Sequence, residues 1–121
     1  MSANDDATLL ERLTALHDAV AAGKLMEALD EYYAEDVTMQ ENEDEPTVGL
    51  AANKQREADW LATVAEFRVF ELTRAAVHDG VSFAETVLEY VTTSGDVVHQ
   101  EQVSRAVWRD GKIVGERFYH G

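Results

Sequence analysis

Cysteine is absent from the 121 residues, which excludes disulfides and any zinc or redox site built on thiolates. Lysine is scarce, with Lys24, Lys54 and Lys112 alone, and the net charge is −14. Nucleic acids and anionic membranes are held by clustered Lys and Arg that replace counterions, so neither is expected as a partner. No apolar run approaches the ~20 residues that span a bilayer. The N-terminal MSANDDATLL is too polar and acidic for a signal peptide, and a cytoplasmic location is the resulting expectation. The four histidines (His17, His78, His99 and His120) lack ligand spacing, so no metal site is expected. A Gly-rich phosphate loop and a nucleophile elbow are both missing, and no cofactor is implied.

What is present is a single-domain chain, 1–121, that is 45% hydrophobic and changes its periodicity once. Leu9, Leu10, Leu13, Leu16 and Val20 fall at helical spacing over 7–22, and Gly23 ends that helix. A second helix carries Leu25, Ala28, Leu29 and Tyr32 on one face and stops near Asp36. Residues 37–41 alternate as a short strand. A loop with the single proline, Pro46, leads to a third helix over 50–64, with Trp60, Leu61 and Val64 inward. From there the pattern alternates, predicting strands near 66–78, 81–93, 97–109 and 112–120. The architecture expected is α+β, with N-terminal helices packed on a strongly curved antiparallel sheet that encloses a pocket.

The turns predict the pairing. Asp-Gly between alternating runs is a strong hairpin signal, because both central residues of a type I′ turn need positive φ. Asp79-Gly80 sets Arg74 opposite Glu85, and Asp110-Gly111 sets Arg105 opposite Glu116. A three-residue middle turn centred on Gly95 joins the two pairs into one row of alternating sign. Neighbouring rows on that face hold Phe83 and Val107, then Leu72, Val87, Val103 and Phe118, then Phe70 and His120. Its apolar content predicts that this face packs on the helices. The opposite face, with Ala84, Thr86, Ser104 and Ala106, is expected outside, as a moderately wet surface or a subunit contact, with Trp108 supporting the latter.

Element order, together with YYAEDVTMQENEDEPTVG at 32–49 and WRDGKIVGERFY at 108–119, resembles the nuclear transport factor 2-like superfamily, and most closely its SnoaL-like, polyketide-cyclase-like branch. The resemblance implies a cone-shaped sheet with a pocket between sheet and helices. It also implies a small, mostly apolar ligand and a homodimer through the outer sheet face. In AEDVTMQENEDEPTVG, Glu41 falls where related steroid isomerases carry their catalytic carboxylate. Leu16, with His17 beside it, stands near the tyrosine that those isomerases need. Glu85, Arg105 and Glu116 resemble in arrangement the carboxylate–guanidinium–carboxylate site of limonene epoxide hydrolases; a structural ladder of ion pairs has the same pattern.

The candidate catalytic residues are therefore Glu41, Glu85, Arg105 and Glu116, since a carboxylate in an apolar pocket has its pKa raised towards the range of a useful general base. Tyr33, Met39, Trp60, Phe70, Phe83, Val87, Val103 and Phe118 are the candidate ligand contacts. Two functions compete. One is a cofactor-independent isomerase, cyclase or hydrolase; the other is a non-catalytic ligand-binding or dimerisation domain. An enclosed, partly apolar cavity with Glu41 pointing into it favours the first. A cavity filled by Trp60, Phe70 and Phe118 favours the second.

The acidic run at 27–45 reads either as a solvated face that keeps the protein soluble or as adaptation to high salt. Salt adaptation predicts a Tm that rises from low to molar KCl, read in a thermal melt. A flat Tm leaves the solvation role alone.

Overall fold

The computed structural model describes residues 3–121. Helices α1 (Asp6–Ala21) and α2 (Leu25–Tyr32) lead into strand β1 (Tyr33–Glu41). Strand β2 (Thr47–Val48) and helix α3 (Leu50–Leu61) follow, and then the long strands β3 (Val64–His78), β4 (Val81–Thr92), β5 (Val97–Arg109) and β6 (Lys112–His120). They form one curved, unclosed six-stranded sheet in the order β2-β1-β6-β5-β4-β3. The meander is antiparallel, as expected; the β1–β6 pair is parallel. α2 ends at Tyr32 rather than near Asp36, because Tyr33 is already extended and pairs with Ile113 of β6.

α1 starts at a capped end, where the Asp5 side chain accepts a bond from Thr8 N at 2.9 Å. Its Leu9, Leu13 and Leu16 are buried, with Leu10 turned to solvent. Together with Ala28 and Leu29 of α2, Val37 and Met39 of β1, and Ala84, Ala106, Trp108 and Ile113 of the sheet, they make the core. Arg12 locks α1 to the β5–β6 turn by donating from Nε to the Gly111 carbonyl at 2.6 Å.

The outer hairpins form as their sequence predicts. Asp79, Gly80, Asp110 and Gly111 all have positive φ, and His78 faces Val81 as Arg109 faces Lys112. The middle turn lies one residue earlier than expected: Val91 faces Val97, so the loop centres on Ser94 and Glu85 faces Val103, not Arg105. Two bulges then alter the rows. One lies between Leu72 and Arg74, the other between Ile113 and Gly115. Beyond the second, Ala106 faces Glu116 and Arg105 faces Arg117. The expected row of four alternating charges does not exist.

On β4 and β5 the inner face is also the opposite of the one expected, whereas Phe70, Leu72, Glu116, Phe118 and His120 of β3 and β6 lie on the expected side. Ser82, Ala84, Thr86 and Leu88 of β4 and Ser104, Ala106 and Trp108 of β5 are the buried positions. Phe83, Glu85, Val103, Arg105 and Val107 lie exposed on the outer face, Phe83 with 44% of its surface open. Trp108 is therefore a core residue, its Nε1 donating to Ser82 Oγ at 2.9 Å. The physical reason is room: small side chains on the inner face let the helices approach and leave space for a cavity, whereas the large residues fit the outer side.

Asn53 fastens α3 to this frame. It is fully buried, and its Nδ2 donates to the carbonyls of Gly49 at 2.8 Å and Thr47 at 3.0 Å. Asn53→Ala leaves those carbonyls short of a donor in a buried position. It is expected to cost about 2–3 kcal/mol, read as a lower urea midpoint with an unchanged m-value.

Candidate functional site

Between the helices and the inner sheet face lies a cavity of about 740 Å³, within the roughly 300–1,000 Å³ of small-molecule sites. One part of its wall is apolar, with Leu16, Val20, Leu25 and Leu29 from the helices and Phe70 and Leu88 from the sheet. Trp60 meets Phe67 and Tyr90 edge-to-face along it, and these two rings are tilted against each other, with centroids 5.3–6.0 Å apart. Gln100, Gln102 and Ser104 present every second residue of β5 to the same space.

The other part of the wall is ionisable. Glu116 projects inward from β6 because the bulge before it shifts the alternation by one residue, and only 6% of it is exposed. Tyr33, at the start of β1, donates from its hydroxyl to Glu116 Oε1 at 2.6 Å. Burial pushes the Glu116 carboxyl up to about 7; the Tyr33 bond opposes this, and Glu57 and Glu41 add to it. Burial and the adjacent carboxylate push the Tyr33 phenol well above its ordinary value, so it remains a donor.

Glu41 ends β1, opposite Phe118 in the parallel register. Asn42 fixes this end of the strand: its backbone N donates to the Phe118 carbonyl at 2.7 Å, and its Oδ1 accepts from His120 N at 2.9 Å. Glu41 and His120 consequently lie side by side, Oε2 to Nε2 at 2.9 Å. The other oxygen, Oε1, accepts from Arg56 Nη1 at 3.3 Å, while Arg56 Nη2 donates to Glu57 at 3.2 Å. Burial raises the Glu57 pKa, against the pull of Arg56. The result is a chain, His120–Glu41–Arg56–Glu57, next to the Tyr33–Glu116 pair.

Of the residues expected from sequence, Glu41, Glu116, Tyr33, Met39, Trp60, Phe70 and Phe118 line the cavity. Glu85, Arg105, Phe83, Val87 and Val103 do not, because odd-numbered positions of β4 and β5 face outward. The carboxylate–guanidinium–carboxylate trio is thus dispersed. Glu85 instead accepts from Thr73 on the outer surface at 2.8 Å. The sequence reading missed Arg56 and Glu57, although they lie four and three residues before Trp60 and so share its helical face. It also missed the cavity roles of His17, Tyr90 and the alternating Gln100, Gln102 and Ser104.

Among the described residues no group of His, Cys, Asp and Glu has the arrangement of a metal site. No helix is long and apolar enough to cross a membrane.

Helices laid on a curved sheet with an acid-lined cavity between them define a nuclear transport factor 2-like cone. More narrowly, the chain belongs to the SnoaL-like domain family, whose model matches residues 13–116. A search of curated proteins finds no match. Among solved structures, a proposed SnoaL-like polyketide cyclase from Mesorhizobium loti is 20% identical with a TM-score of 0.77, covering 93% of this chain and 98% of that one. A hypothetical protein of ketosteroid isomerase-like fold from Catenulispora acidiphila, solved with trimethylamine, is 18% identical (TM-score 0.77; 90% and 84% covered). TerC, co-crystallised with polyporic acid, is 15% identical (TM-score 0.80; 93% and 91% covered). At these identities the likeness is one of fold.

Glu116 makes stability depend on pH. Its folded pKa of about 7 exceeds the ordinary 4.5, so the native state keeps a proton that the unfolded chain releases. The contribution of Glu116 to stability is then full below pH 4.5 and is lost as pH rises through about 7. Glu116→Gln keeps an acceptor for Tyr33 but cannot ionise. Its stability relative to wild type is expected to rise by up to about 3 kcal/mol between pH 4 and pH 8, read in urea melts at the two pH values.

Proposed function

We propose that this protein binds a small, mostly apolar molecule and catalyses cofactor-independent proton transfer on it, with Glu116 as the group that takes and returns the proton. The observation that carries this reading is a nearly buried carboxyl at a cavity wall, balanced near neutrality and held by one phenol. The reading suits a substrate with a C–H bond beside a carbonyl. The Glu116 carboxylate takes that proton: the C–H bond breaks, an O–H bond forms on Glu116, and the electron pair moves into an enolate. In an isomerisation the proton returns to a different carbon. In a ring closure the enolate carbon attacks a second carbonyl of the same molecule, a C–C bond forms, and Glu116 gives the proton to the new alkoxide.

Tyr33 acts as a positioning residue that holds Oε1 and leaves Oε2 for the substrate. Glu41 is the less favoured base, since both its oxygens already have partners in Arg56 and His120. The neighbouring negative charge of Glu57 and Glu41 keeps Glu116 basic. Homodimerisation through the outer sheet face belongs to the same reading. Phe83, Val103, Val107 and Tyr119 are exposed there among charges of both signs, a composition that suits contact with a second copy.

Exchange in D2O tests the chemistry. Incubated with simple cyclic and polycyclic ketones, the protein is expected to speed deuterium uptake beside the carbonyl, followed by NMR. The rate should rise with pH and level off above about 7. Glu116→Gln is expected to lower it by about 100-fold or more. A Glu116→Gln protein that exchanges at the wild-type rate removes Glu116 from the chemistry. A native mass spectrum of the same sample reads both subunit number and any copurified ligand.

A further inference from the structure

His17 has no part in the acid chain. It sits in α1, with only 9% of its surface exposed, and its ring stacks on Phe70 of β3 at 5.8 Å and 25°. Nδ1 lies 2.9 Å from the Leu13 carbonyl. A carbonyl only accepts, so Nδ1 carries the hydrogen and the neutral ring presents a bare Nε2. Burial lowers the His17 pKa, in keeping with that neutral form. Nε2 has no partner among the described residues, and the residue lines the cavity.

The sheet register places this ring far from Glu116. Phe70 shares a row with Leu88 and Gln100, whereas Glu116 shares one with Ala106 and Ser82. β3 and β6 are three strand spacings apart, and the rows differ by six residues along β4. That makes a path of roughly 20–25 Å along the sheet, which the curvature folds into a single cavity. A molecule that touches both ends spans the cavity from the α1 flank to the β6 flank.

From this geometry we infer that the far end of the cavity is a second recognition point, at which His17 Nε2 accepts a hydrogen bond from a hydroxyl on the ligand. The ligand class is then a ring-containing molecule large enough to reach from His17 to Glu116, with a hydroxyl at the first end and its reactive carbonyl at the second. The inference rests on the small-molecule reading of the cavity and adds the substrate class to it. A hydroxyl fits better than an ammonium, because the ring stacks on Phe70 in a cavity that Leu16 and Val20 also line, and a charge buried there is costly. A flat ring carrying that hydroxyl would lie along Phe70.

Estrone and 3-deoxyestrone, which differ by the one phenolic hydroxyl, are the probes, with binding followed by tryptophan fluorescence. Wild type is expected to bind the deoxy compound about five- to tenfold more weakly. His17→Phe should bind the two equally. Glu116→Gln should keep the preference, which separates this test from that of the proton chemistry. Nitrogen-15 NMR on the wild-type protein needs no variant: estrone should move the His17 Nε2 resonance upfield, and 3-deoxyestrone should leave it in place. If His17→Phe does not fold, this measurement decides alone. Equal binding of the two probes by wild type, absence of estrone binding, an unmoved Nε2 resonance, or a preference lost in Glu116→Gln and kept in His17→Phe would each overturn the assignment.

Discussion

The site depends on one extra residue in β6. Trp108 faces Ile113, but Val107 faces Gly115, so Val114 has no counterpart on β5. A strand alternates with a period of two, and one added residue exchanges its faces from that point on. Glu116, Phe118 and His120 turn inward as a result. With unbroken pairing, Gly115, Arg117 and Tyr119 would take those places, so that a glycine would stand where Glu116 does and a guanidinium where Phe118 does. The bulge at Thr73 does the same for β3, bringing Leu72 and Phe70 inward and sending Glu71 out.

Once Glu116 is inside, the fold must keep a carboxyl away from water without a cation in direct contact. Among the described residues its close partner is a phenol, which stabilises the charged form by a hydrogen bond but adds no positive charge. Arg56 is the guanidinium of the acid chain, and its two Nη groups are divided between Glu41 and Glu57. Burial raises the Glu116 carboxyl to about 7, with the Tyr33 bond opposing it and the negative charges of Glu57 and Glu41 adding to it. A direct ion pair would favour the charged form and lower its basicity. The separation of Arg56 from Glu116 thus matters as much as its presence.

Much of the frame was legible in the sequence. The helical spacing of Leu9, Leu13 and Leu16, the two Asp-Gly turns and the resemblance at 32–49 and 108–119 led to the right elements and fold. The choice of sheet face was not legible from hydrophobicity, because the usual rule that large apolar residues face inward holds for a filled core. Beside a cavity and close-packed helices, Ser82, Ala84, Thr86, Ser104 and Ala106 are the fitting inner residues. Gly115 inside a strand was a hint of the bulge; Thr73 offered none. Glu41 and Glu116 were both named as candidates, but the row that led to Glu116 was mistaken. Its neighbours in that row, Glu85 and Arg105, lie on the far side of the sheet.

The same small residues explain how the cavity divides its labour. A sheet face with short side chains lets α1 lie close over β3, which brings His17 onto Phe70 and fills that end with leucine and valine. The charged residues come from the opposite flank, where β6 and β1 run parallel and α3 is anchored over them by Asn53. Parallel pairing matters here, because it ends β1 beside the end of β6 and so puts Glu41 next to His120 without a connecting hairpin. Two unrelated packing solutions, one apolar and one ionic, thereby meet across a single space. In the proposed reaction, a ligand filling this space would lose water on its apolar body while its reactive carbon rested against Glu116, the arrangement in which a carboxyl of raised basicity has most effect.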